Sequence, residues 1–146
     1  MTFLDTMQAY FRGERLEALW FIVPLGLALL GFAVVALRVE RGGFAWGLAV
    51  PCALFGLLAL VTGGTVAART GRQVAAIERA WLESPAALAA TELPRMEKVE
   101  ADFRTYFAAF AVLVAAGLTL VLVVRAPWAR GLGPALILVG GLGFVI

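Results

Sequence analysis

Phe44 to Ala68, within the longest uncharged stretch of this chain, runs for 25 residues. At 1.5 Å per residue a helix of that length exceeds the roughly 30 Å hydrocarbon core of a bilayer. Leu16 to Leu37 is nearly as long at 22 residues, with one charge, Glu17, at its edge, and Thr105 to Val124 is again uncharged. A fourth stretch, Gly131 to Ile146, has 16 residues, short of the roughly 17 to 25 usual for a span, so either a thin membrane or a longer natural chain is expected there. These stretches predict an all-α membrane protein in one domain: four transmembrane helices, over about 16–37, 44–68, 105–124 and 131–146, packed as a bundle.

Composition closes the soluble alternative. Of the 146 residues 62% are apolar and 15% charged, whereas soluble domains carry about a quarter charged residues. A chain this short folded in water would leave much of that apolar surface exposed. Twelve Lys/Arg stand against ten Asp/Glu, too even a balance for a nucleic-acid binder. With no histidine and one cysteine, histidine-ligated metals, Ser-His and Cys-His catalysis, intrachain disulfides and CxxC redox motifs are excluded. No cofactor is implied. Cys52, inside an apolar stretch, reads as a packing residue.

Basic residues orient the spans. Arg12 and Arg15 before the first span and Arg69, Arg72, Arg79, Arg95, Lys98 and Arg104 between the second and third make eight. The two short connections hold four, Arg38, Arg41, Arg125 and Arg130. Both termini and the central segment are therefore predicted to be cytoplasmic, with Trp46 and Trp128 at the outer interface and Trp20 at the inner one.

The central segment is predicted to be helical too. Val74, Ile77 and Trp81 share one helical face and Arg72, Arg79 and Glu83 the other, which suggests a short interfacial helix over about 72–83. Ser84-Pro85 stops it. Thr91 can cap a new helix that starts near 92 and carries Met96, Val99, Phe103, Phe107 and Phe110 straight into the third span. The first and second halves also match weakly: Ala45-Trp-Gly-Leu-Ala-Val-Pro51 lies against Ala129-Arg-Gly-Leu-Gly-Pro134 with one residue deleted. A duplicated hairpin of this kind would give two parallel repeats about an axis along the membrane normal, although glycine, alanine, leucine and proline also recur by composition alone.

Two groups of side chains are candidates for binding. Glu14 with Glu17 and Glu97 with Glu100 are each three residues apart on one helix face. If the first and third spans are neighbours, these four carboxylates meet near the inner interface as a cation or partner contact. Arg15, Lys98 and Arg104 are interleaved with them, so a salt-bridged or solvated surface is the ordinary alternative. Arg72, Arg79 and Trp81 on one side, and Arg125, Trp128 and Arg130 on the other, suit lipid head groups.

Two stretches, Tyr10-Phe11-Arg12-Gly13-Glu14-Arg15-Leu16-Glu17-Ala18 and Glu92-Leu93-Pro94-Arg95-Met96-Glu97-Lys98-Val99, resemble signature segments of a family of small four-span bacterial inner-membrane proteins. The resemblance implies that location and a polar segment after the fourth span; it implies no activity. Met96-Glu97-Lys98-Val99 is fainter in its likeness to the membrane-associated glutathione-metabolising proteins, whose motif opens their second helix and continues with residues absent here. That activity is not carried over.

No ionisable residue falls deep inside a span, although transporters and proton relays place one there. The expectation is a structural or accessory protein in preference to an enzyme, in a homo-oligomer or a larger membrane complex. An ion or small-molecule conduit is the second reading, and a membrane enzyme acting on lipid or thiol substrates is the third.

Overall fold

Long runs of alanine, leucine and valine with few breakers favour helix, and in lipid every backbone amide must be satisfied within its own segment. The structure, a computed structural model, describes residues 3–145 and is helical almost throughout. Helix α1 (Phe3–Glu17) passes through a five-residue π segment (Ala18–Ile22) into α2 (Val23–Val39). Helix α3 (Gly43–Glu83), α4 (Pro85–Val123) and α5 (Pro127–Gly143) follow. Three continuous helices among the described residues are long and apolar enough to cross a membrane: Leu4–Val39, Gly43–Glu83 and Pro85–Val123.

The π segment has a local cause. Pro24 has no amide hydrogen and its ring crowds the carbonyl one turn earlier. The chain responds by widening, and the Val23 amide reaches five residues back to the Ala18 carbonyl.

Two boundaries differ from the sequence expectation. No separate interfacial helix forms over 72–83, because no proline or glycine pair interrupts the chain there and α3 runs on unbroken to Glu83. The amphipathic face of Val74, Ile77 and Trp81 turns toward α1. The third helix starts at Pro85, not near 92. Ser84 already caps it, accepting from the Ala87 amide at 3.4 Å, and Pro85 fits its first turn. The Thr91 hydroxyl is consequently mid-helix and donates back to the Leu88 carbonyl at 2.9 Å.

The helices pack in a chain of close backbone contacts. Helix α2 packs on α3, α3 on α5 and α5 on α4, whereas among the described residues α2 meets neither α4 nor α5 backbone to backbone. The order across the molecule is thus α2, α3, α5, α4. Small residues allow this. A Cβ on Gly26 would lie 2.8 Å from the Gly56 carbonyl oxygen in the α2–α3 pair, and one on Gly117 would lie 2.6 Å from the Gly133 carbonyl oxygen in the α4–α5 pair. Without side chains at these points the backbones come together and gain dispersion contact, the usual adhesive where lipid removes the hydrophobic driving force.

The central α3–α5 contact is reciprocal. Gly47 abuts the Trp128 carbonyl oxygen and the Leu132 amide, and Gly131 abuts the Phe44 carbonyl oxygen and the Leu48 amide. In the register of the sequence repeat Phe44 corresponds to Trp128, Gly47 to Gly131 and Leu48 to Leu132, so each contact is the image of the other. Both helices begin at this end and run parallel. Leu29, Ala33, Ala49, Cys52 and Ala135 fill the adjoining core.

Candidate functional site

Helices α3 and α4 meet at Ser84 with few backbone contacts to each other, and α5 packs against both. Phe55, Phe107, Phe110 and Phe144 close the space at the end of α5, with Phe55 and Phe110 edge to face at 6.2 Å and Phe107 stacked on Phe144 at 5.6 Å. Beyond this plug α3 continues from Arg69 to Glu83, about 20 Å of helix past its last uncharged turn. Helix α1 lies along that extension. Its Met7 and Phe11 are buried, its Gln8 donates to Glu78 at 2.6 Å, and its Glu14 faces Arg69 at 3.7 Å.

Between α1, α3 and α4 this leaves a groove of about 690 Å³. Phe11, Ile77, Trp81, Leu88, Met96 and Phe103 line it, with Arg69, Glu92 and Arg95 at its rim. Leu93, Met96 and Phe103 on the α4 wall are 64%, 55% and 53% exposed, in a part of the helix that alternates with charges. An apolar trough of this size with a polar rim has the character of an interaction surface. A second hollow of about 790 Å³ lies beside the π segment, between Trp20, Phe21 and Leu25 and the end of α5 at Leu142.

The four carboxylates expected to converge do not. Helices α1 and α4 make no backbone approach among the described residues and face each other only across the groove. Glu14 pairs with Arg69, Glu100 accepts from Arg104 at 2.6 Å, and Glu17 and Glu97 are exposed on different helices. Among the described residues no three acidic or cysteine side chains gather closely enough to hold a metal ion. The interleaved basic residues take the carboxylates instead, as in the Glu92 to Arg95 contact at 2.8 Å. These pairs are largely solvent-exposed, and each contributes less than about 1 kcal/mol. Glu14→Gln and Glu100→Gln are therefore expected to shift unfolding by less than that amount, and millimolar calcium should leave the melting temperature unchanged. A calcium-dependent rise abolished by either variant would restore the cation site.

Of the residues expected at lipid head groups, Arg72 and Arg79 are exposed on α3, while Trp81 is half-buried in the groove. Arg125, Trp128 and Arg130 are exposed at the opposite end. Sequence reasoning missed α1 and the groove it completes. Its signal was present in Leu4, Met7 and Phe11, spaced three and four residues apart in a segment without a long apolar run. Comparison with protein-family models, with curated proteins and with solved structures found no match.

Proposed function

We propose that this protein is a four-span accessory subunit of a membrane assembly, with the α3–α4 hairpin and α1 presenting the groove to a partner on the cytoplasmic side of a bacterial inner membrane. The observation that carries this reading is the groove itself: apolar side chains held open on both walls, on helical segments that extend past the uncharged stretches. Its supporting frame is an outward-facing apolar surface. In the most apolar part of α4 only 6% of the residues are buried, against 28% in α3. The chain exposes 9630 Å², where a compact soluble protein of this length exposes about 7,200 Å². Bilayer and partner together account for the difference.

The conduit reading has less behind it. Spans meet through glycine and alanine contacts, and the polar groups within them are turned inward on their own helices. Thr65 donates to the Val61 carbonyl at 2.6 Å and Thr119 to the Ala115 carbonyl at 2.9 Å. No buried side-chain polar atom among the described residues lacks a hydrogen-bond partner, so none is left aimed into a water-filled path.

Purification from source membranes in native nanodiscs, followed by mass spectrometry of what remains bound, tests the proposal. A stoichiometric protein partner is expected. A protein that comes away alone, or as a homo-oligomer retaining a small molecule, would contradict it.

A further inference from the structure

The end of the molecule opposite the groove carries an unbalanced charge. Arg38 and Arg41 flank the α2–α3 turn, and Arg125 and Arg130 flank the α4–α5 turn; all four are exposed. Glu40 is the one carboxylate in either turn. None of these five groups forms an ion pair within the described residues. The groove end is different: there acidic and basic residues interleave and pair.

The α3–α5 contact brings these two turns together. Gly43, two residues after Arg41, has its open side 3.4 Å from the Trp128 backbone nitrogen, and Gly131, next to Arg130, abuts Phe44. Two turns far apart in sequence therefore form one surface, with a pair of arginines from each repeat. Trp46 and Trp128, 56% and 50% exposed, stand on the same turns. Arginine forks match phosphate oxygens bidentately, and indole rings settle at head-group depth.

We propose that this surface binds the phosphate-bearing head groups of anionic phospholipids, each hairpin contributing two arginines to one composite site. The inference rests on the transmembrane reading, since only a spanning protein places these turns at a membrane surface. It extends the expectation for Arg125 and Arg130 to Arg38 and Arg41, and makes the site a product of the α3–α5 contact. With four cations against one carboxylate, a zwitterionic head group gains little there, whereas an anionic one is attracted by about 1 kcal/mol per arginine, a factor of roughly five.

Tryptophan quenching by bromine-labelled lipids reads this site directly. In a Trp20→Phe protein, Trp46 and Trp128 are the reporters within reach of acyl-chain bromines, because Trp81 lies about 18 Å along α3 beyond Arg69. In vesicles, brominated phosphatidylglycerol should quench them more than brominated phosphatidylcholine does. Arg41→Gln with Arg130→Gln should cut that preference about twenty-five-fold, and the fourfold variant R38Q/R41Q/R125Q/R130Q should abolish it. Arg72→Gln with Arg79→Gln should leave it intact, as should excess inorganic phosphate. Equal quenching by the two lipids, a preference that survives in the fourfold variant, or displacement by free phosphate would overturn the proposal. Failure to insert into vesicles at all would instead overturn the transmembrane reading. The substituted arginines are exposed, so the variants are expected to fold.

Discussion

Gly131→Ala is expected to destabilise the protein by about 3 kcal/mol, the upper end of the usual cost of overpacking. The added methyl would overlap the Phe44 carbonyl oxygen and lie 3.0 Å from the Leu48 amide nitrogen. Both are backbone atoms within α3, and neither can swing aside as a side-chain tip would. The helices must part along a contact that also holds Ala49 and Ala135 in the core. Gly47→Ala should cost a similar amount against Trp128 and Leu132. Once either substitution has parted the helices the other meets open space, so the double variant should cost clearly less than the sum of the two. Gly64→Ala and Gly141→Ala are the controls, since nothing lies within 4 Å of either position. Alanine is the better helix former by about 1 kcal/mol, so these two should be neutral or stabilising. Reversible unfolding in detergent distinguishes the sets, and equal effects at all four positions would mean that α3 and α5 do not touch as described.

Leu93→Asp combined with Met96→Asp is expected to lower retention of the protein partner about a hundredfold while leaving the unfolding transition in place. Both residues line the groove, and both are more than half exposed, so little internal packing is lost. A partner that covers them would have to bury two carboxylates, at a penalty of about 3 kcal/mol in all, in keeping with central interface positions. Quantitative mass spectrometry of nanodisc-purified wild type and variant, at matched protein amounts, measures the ratio. If the variant retains the partner as well as the wild type does, the groove is not where the partner docks. If it loses the fold, Leu93→Gln with Met96→Gln asks the same question with smaller polar groups.

The helices were legible in the sequence because bilayer length and absence of charge leave few alternatives, as for Phe44 to Ala68. Their spatial order was not. Nothing in a hydropathy pattern says that α5, last in the chain, inserts between α3 and α4. Only the pairing of Gly47 with Gly131 hinted at it, through the weak repeat. The expected carboxylates do not converge for this reason: Glu14 turns to Arg69 of α3, Glu100 pairs with Arg104 on its own helix, and α1 and α4 face each other only across the groove. The spacing of Val74, Ile77 and Trp81 marks an amphipathic face but not what lies against it. An apolar stripe records that something covers it, and here α1 covers part of it instead of lipid. Met7 and Phe11 carried that information in a segment too short and too polar to be noticed as a helix.

The α5 helix decides whether the protein crosses the membrane four times, since its 17 residues fall short of the three longer helices. Single cysteines at Arg41, Ala86 and Val145, introduced in a Cys52→Ala background, can be labelled in oriented membrane vesicles with an impermeant maleimide. The account predicts that the cysteine at position 41 reacts from one side and those at 86 and 145 from the other. Labelling of position 145 from the same side as position 41 would show that α5 does not cross, and would contradict the four-span arrangement on which the proposed function stands.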